Sequence, residues 1–290
     1  MRVVRKLAAE FGVEVDGIDV AGGLGADSIH ALRALLYRYC LLLLRAPVFE
    51  PRHQADLAGA LGKPKDETRK QFAFPDQPMV ARLGNTVDAA GQPNAFFNRQ
   101  GEEWHSDGAG SGDVNGITML YAVKVPRNGG DTMFASLHSA WASLDPATQD
   151  AIKGHRVRHS FNWHNDKVLR LSPGAFKPLS EAQRAAIPDR WYDLVQTHPV
   201  TGRTLYYVSP NLVREIPGLD EPERDALVRQ LMDHATRPQR IYRHRWLPGD
   251  LLVWDNHALM HSPTDVGVYL QDQRLMHRSF TVPDLASPLQ

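Results

Sequence analysis

The chain has 290 residues, 42% hydrophobic and 23% charged, enough to bury a sizeable core as one domain with decorations. Its 33 lysines and arginines are matched by 33 aspartates and glutamates, which excludes a broad electrostatic pull toward nucleic acid or an anionic membrane; small molecules, or further copies of the chain, are the expected partners. The lone cysteine, Cys40, excludes an internal disulfide and is expected to be a buried inert thiol suited to a reducing cytoplasm.

The basic start Met1 to Lys6 is not followed by an apolar stretch with a small-residue cleavage site, so secretion is not indicated. Val13 to Val20 alternates apolar and polar residues as a half-buried strand does. A helix should follow, with Asp27 as its N-cap and Ile29, Leu32, Leu35 and Leu36 at helical spacing. The apolar run Cys40 to Leu44, bracketed by Arg38 and Arg45, is far below the ~20 residues that span a bilayer and reads as a buried strand. A second helix should open at Pro51 and end near Gly62.

From about residue 75 the texture changes to short β-rich segments between glycine and proline turns: Ile117 to Val125, Thr204 to Val208 and Leu251 to Trp254. Helical stretches at Leu137 to Lys153 and Pro222 to Thr236, the latter with Leu227, Leu231 and His234 on one face, should pack outside the sheets. Residues 161–191 mix proline, glycine, charge and aromatics without a clear period and read as a lid-like insertion or long crossover loop in a single domain spanning 1–290.

Two His-x-Asp patterns occur, His105-Ser106-Asp107 and His164-Asn165-Asp166. On a strand, residues i and i+2 share a face, so such a pair can offer one nitrogen and one oxygen to a single ion. Two histidines and one carboxylate cap one face of an octahedral iron(II), leaving three adjacent positions for a chelating 2-oxo acid and dioxygen. The second copy lies in the irregular segment and reads as solvated surface. A third ligand is offered by either histidine of Trp254-Asp255-Asn256-His257-Ala258-Leu259-Met260-His261.

Four blocks in order resemble the taurine and phenoxyacetate dioxygenase (TauD/TfdA) family: Gly17-Ile18-Asp19; Trp104 to Asp107; Pro126 to Thr132, ending Gly129-Gly130-Asp131-Thr132; and Gly249-Asp250 through Trp254-Asp255-Asn256 to His261 and Arg274. The resemblance covers nearly the whole chain. It implies a mainly β (α+β) fold, a double-stranded β-helix or distorted jelly roll with outer helices and an N-terminal strand-helix prelude. It also implies an oxidoreductase that uses Fe(II), 2-oxoglutarate as co-substrate and dioxygen. In the family pattern the distal histidine comes seven residues after the tryptophan, which selects His261 over His257, so iron would be held by His105, Asp107 and His261. Arg274, helped by the Thr132 hydroxyl, would grip the far carboxylate of 2-oxoglutarate through parallel hydrogen bonds.

Arg278, four residues further along, matches a position that meets an anionic group on the primary substrate or lies close to the co-substrate; an outward edge-strand charge is the alternative for both arginines. Glu102 and Glu103 could instead favour an amino group, or be solvated. The carboxylate at Asp107 argues against a halogenase, whose chloride needs that position. Two other classes stay open: a silent jelly-roll binding or sensor protein, and a zinc hydrolase with the same three ligands. A homo-oligomer would be in keeping with the family.

Overall fold

A computed structural model describes residues 1–46, 48–67, 70–96, 103–110, 116–171, 178–264 and 272–282. Its largest sheet runs, in spatial order, Arg2–Lys6, Val13–Asp16, Leu41–Arg45, Asp250–Asp255, Ile117–Lys124, Leu275–Val282, Gln77–Gly84 and Ala73–Phe74, with Lys63–Lys65 also pairing Leu275–Val282. Opposite it lies a smaller sheet, Tyr242–His244, Thr132–Ser136 and Leu259–Pro263. Every pairing in the two sheets is antiparallel except Val13–Asp16 with Leu41–Arg45.

The unbroken leucine run is explained by what covers each face of its strand. Leu41 and Leu43 point between the sheets, joining Leu120, Ala122, Leu252, Trp254 and Met276 of the large sheet and Phe134 and Leu259 of the small one. Leu42 and Leu44 point the other way, into a layer formed with Leu32, Leu36, Leu57 and Leu61 of two helices, Ala26–Tyr39 and Pro51–Leu61. With helices on one side and a second sheet on the other, the strand has no wet face, and alternation disappears. Each such leucine, fully enclosed, is worth about 2–5 kcal/mol against truncation to alanine. Cys40 ends the first helix with a left-handed backbone (φ 64°) and is buried; burial pushes its thiol up to about 12.

Several helix boundaries differ from the sequence expectation. Gly25, not Asp27, occupies the N-cap of the first helix and Asp27 falls in its first turn, where a carboxylate still complements the helix dipole. The expected helix from Leu137 to Lys153 is two, Leu137–Ala142 and Pro146–Ile152, because extended Asp145 caps Thr148 and Pro146 starts a new first turn. Residues 161–191 carry helices Phe161–Leu171 and Glu181–Ala186 and the start of strand Arg190–Asp193, which joins Arg156–His159 and Val213–Glu215 in a separate sheet. The first of these helices is amphipathic but fully buries only Asn165, and its short apolar stripe went unread in a segment that mixes proline, glycine and charge. Among the described residues, no helix is long and apolar enough to cross a membrane.

Candidate active site

His105, Asp107 and His261 meet between the two sheets, their ligand atoms all within 4.8 Å of one another. His261 belongs to strand Leu259–Pro263, and His105 lies beside it as an isolated bridge residue, the two exchanging backbone hydrogen bonds: His105 N–H to His261 O at 3.0 Å and His261 N–H to His105 O at 2.9 Å. The His-x-Asp pair is therefore not in mid-strand. The chain leaves the bridge at once into a turn, helped by Gly108 and Gly110 at φ 78° and 81°, and the turn swings Asp107 back over the bridge. Asp107 Oδ1 lies 3.8 Å from His105 Nε2, and Oδ2 lies 3.8 Å from His261 Nε2.

The tautomer of His105 follows from its surroundings. Its Nδ1 is 2.8 Å from the carbonyl of Glu103, an acceptor only, so Nδ1 carries the proton and Nε2 keeps the lone pair that faces Asp107. The His261 ring packs against Trp254, edge to face at 5.1 Å, and Phe134 at 6.0 Å. Asp107 accepts a hydrogen bond from the Thr118 hydroxyl at 3.0 Å. Two imidazoles and one carboxylate, oriented before any ion arrives, form a donor set that fits a divalent first-row metal with coordination positions to spare.

Arg274 immediately precedes strand Leu275–Val282, which lies in the middle of the large sheet, so neither it nor Arg278 is an edge charge. Asn85 brackets the Arg274 backbone, its Oδ1 accepting from Arg274 N–H at 2.7 Å and its own N–H donating to Arg274 O at 3.1 Å. Gly84 makes that approach possible: a Cβ there would lie 1.8 Å from Arg274 O. The Arg274 side chain runs past Gly130, whose notional Cβ sits 3.5 Å from Arg274 Cδ, two residues before Thr132. Thr132 Oγ1 accepts from the Trp246 indole at 3.1 Å, which turns the hydroxyl proton away from Trp246.

Arg278 shares the inner face of the strand with Met276 and sits opposite Leu120, two residues along from Thr118. Its guanidinium lies over the Phe280 ring at 4.5 Å and meets Glu67 Oε2 at 2.7 Å. Glu67 is only 3% exposed, so this is an interior ion pair. Nothing in the sequence around Glu67 marked it; the contact depends on two segments more than 200 residues apart. Asn85, 189 residues from Arg274, escaped notice for a like reason, and Thr118, though only 11 residues past Asp107, because no motif links the two.

The second histidine offered by the sequence, His257, belongs to a different group. With His198 and Asp255 it forms the other His/Asp cluster among the described residues. His198 Nδ1 accepts from the backbone N–H groups of Val200 and Thr201, both at 3.1 Å, so its proton is on Nε2, which lies 2.8 Å from Asp255 Oδ2. Asp255 Oδ1 in turn accepts from His257 N–H at 3.0 Å. Burial would raise the Asp255 carboxyl, but the His198 contact outweighs it and holds the group below the usual range; burial lowers His257. The second His-x-Asp copy lies on helix Phe161–Leu171, where Arg184 grips both Asp166 oxygens, at 2.5 and 3.1 Å. Glu103 is exposed, and Glu102 lies outside the described residues.

A jelly-roll interior that gathers an open two-histidine, one-carboxylate centre beside an arginine and threonine pair has the make-up of a mononuclear metal oxygenase. Residues 4–280 match the family model of the taurine catabolism dioxygenase TauD, TfdA family, and the chain belongs to that family. It is a 2-oxoglutarate-dependent dioxygenase by class. The alpha-ketoglutarate-dependent 2,4-dichlorophenoxyacetate dioxygenase of Cupriavidus pinatubonensis is 29% identical over 267 residues, covering 89% of this chain and 91% of the relative. Pentalenolactone F synthase of Streptomyces avermitilis is 25% identical across 98% of this chain and 95% of its own. The crystal structure of AAD-2 in complex with Mn(II) and N-oxalylglycine superimposes with a TM-score of 0.80 at 26% identity, covering 99% of both chains. The jelly roll and the enzyme class expected from the sequence are both upheld.

Proposed function

We propose that this protein is an Fe(II)- and 2-oxoglutarate-dependent dioxygenase that hydroxylates or oxidatively cleaves a small anionic organic molecule, with decarboxylation of 2-oxoglutarate to succinate and CO2. In this reading His105, Asp107 and His261 hold the metal, Arg274 and Thr132 hold the far carboxylate of 2-oxoglutarate, and Arg278 faces the substrate. The bound iron, with 2-oxoglutarate and dioxygen, supplies the oxidising chemistry; the chain's own groups bind, orient and exclude water. The observation that carries the reading is the coincidence of an open three-ligand cluster with a half-buried arginine whose side chain passes Gly130, two residues before the buried Thr132 hydroxyl.

An anionic substrate is supported by a relative that acts on 2,4-dichlorophenoxyacetate, a carboxylate at neutral pH, and by the cation of Arg278, which sits opposite Leu120 on the neighbouring strand, two residues from Thr118. The start of helix Phe161–Leu171 forms part of the wall over the substrate in this reading: the Phe161 backbone N would lie 3.7 Å from a Cβ on Gly110, three residues past Asp107.

The test is succinate release under air from protein supplied with iron(II), ascorbate and 2-oxoglutarate, against a panel of aryloxy acids, sulfonates, sulfate esters and amino acids. A substrate-dependent rise is expected. Hydrolysis without 2-oxoglutarate would favour a zinc hydrolase, and no turnover of any kind a silent binding protein.

A further inference from the structure

Behind the Asp107 carboxylate runs a line of side chains with no contact to solvent. The Trp254 indole N–H donates to Asn256 Oδ1 at 2.9 Å, the Asn256 amide Nδ2 donates to Thr118 Oγ1, and the Thr118 hydroxyl donates to Asp107 Oδ2 at 3.0 Å. Trp254, Asn256 and Thr118 are 1%, 0% and 0% exposed. The direction of the line is forced. An indole N–H can only donate, so the oxygen of Asn256 must face it and the NH2 must face Thr118. With its oxygen accepting from that NH2, the Thr118 hydroxyl has its proton left for the carboxylate.

We propose that Trp254, Asn256 and Thr118 are positioning residues for the metal centre: a one-way hydrogen-bond relay that sets the plane of the Asp107 carboxylate. The inference rests on the reading of His105, Asp107 and His261 as metal ligands. Charge-assisted hydrogen bonds to a ligating carboxylate restrict its rotation about the Cβ–Cγ bond, and in a site closed to water no solvent molecule replaces a donor that is lost. The Trp-Asp-Asn block thereby divides its work between two neighbours. Trp254 and Asn256 reach Asp107 through Thr118, while Asp255 turns away to His198. The same backbone turn delivers the strand that bears His261, so one short segment controls a ligand and the support of another.

Partners of this kind behind a ligand typically change metal affinity by about 10–100-fold. The experiment is a cobalt(II) titration followed by visible absorption, with cobalt as a redox-stable probe, alongside thermal unfolding of each metal-free protein. Thr118→Val should weaken cobalt binding about tenfold or more and alter the d–d spectrum, Thr118→Ser should bind within about threefold of the parent, and Trp254→Phe should fall between them. Thr118→Val binding with parental affinity and spectrum overturns the relay while leaving the triad standing. Should Thr118→Val fail to fold, a parental cobalt spectrum and affinity in Trp254→Phe overturns it equally. If the parent takes up no cobalt but folds normally, the triad reading falls, and the relay with it.

Discussion

Two clusters in this molecule are built from the same three side chains, two histidines and an aspartate, and both bring their ligand atoms within 4.8 Å. They differ in where the lone pairs are committed. In the first, a carbonyl accepts the hydrogen bond from His105 Nδ1–H, so the other nitrogen's lone pair faces Asp107. In the second, backbone N–H groups occupy His198 Nδ1, and its remaining proton faces Asp255 across 2.8 Å. An ion entering there would have to displace that proton and break a turn. On the proposed reading, residue type and proximity alone do not prepare a metal site; what the backbone does with the second ring nitrogen sets the two clusters apart.

The largest expected effects break the symmetry between the clusters. Asp107→Ala or His105→Ala should lower 2-oxoglutarate-dependent succinate formation by about a thousandfold or more and abolish cobalt uptake in a folded protein, because removing one of three ligands leaves no stable centre. His257→Ala should retain uptake. A His257→Ala protein that lost cobalt binding while keeping its far-UV circular dichroism would show that the second cluster also holds metal.

The first cluster is also distinguished by what stands beside it. Arg274→Ala should raise the KM for 2-oxoglutarate about a hundredfold, the loss expected for a paired, partly enclosed guanidinium–carboxylate contact. Equal 2-oxoglutarate affinity in mutant and parent, measured by calorimetry in the presence of cobalt, would remove Arg274 from the pocket. A smaller effect belongs to Arg278 and Glu67. Since Glu67 already shares the guanidinium at 2.7 Å, an anionic substrate must bind against a fixed negative charge. Glu67→Gln should lower the KM for such a substrate by about tenfold, and Arg278→Ala should raise it by a similar factor. Unchanged turnover in Arg278→Ala would speak against an anionic head at this end.

Much of this was legible in the chain itself, for identifiable reasons. Motifs that are contiguous in sequence, such as Trp104 to Asp107 and Gly129 to Thr132, carry their own geometry, and the leucine run Leu41 to Leu44 announced a strand covered on both faces. Pro51 and Gly62 marked both ends of a helix. What escaped was either unpatterned or distant. Helix Phe161–Leu171 has only a short apolar stripe set among polar and aromatic residues, and Asp145-Pro146 divides a helical period that looks continuous. Asn85, Glu67 and Thr118 act on residues they meet only once the sheet has formed, through contacts that no local spacing encodes. The block Trp254 to Asn256 was visible as a block, but its division into residues facing Asp107 and one facing His198 depends on the twist of the turn that follows the strand.

The smallest effect concerns the neighbourhood of the second cluster, where a buried histidine couples stability to pH. The His138 ring lies tilted against His198 with ring centres 5.6 Å apart, and its Nδ1 donates to the Thr204 carbonyl at 2.9 Å. Burial drops its pKa to about 4, against about 6.5 for the ordinary imidazole of the unfolded chain. Between these values the unfolded state binds a proton that the folded state refuses, so stability rises with pH through this window and is complete above it. One such proton corresponds to about 1.4 kcal/mol per pH unit. Urea unfolding of the metal-free protein at pH 7, 6 and 5 should therefore show a shallower acid loss in His138→Gln than in the parent, by up to that slope, even if the variant is less stable at pH 7. Identical slopes would mean that His138 takes up its proton while folded. The cluster would then be a place the molecule can charge, and the contrast with the first cluster would be narrower than the hydrogen bonds imply.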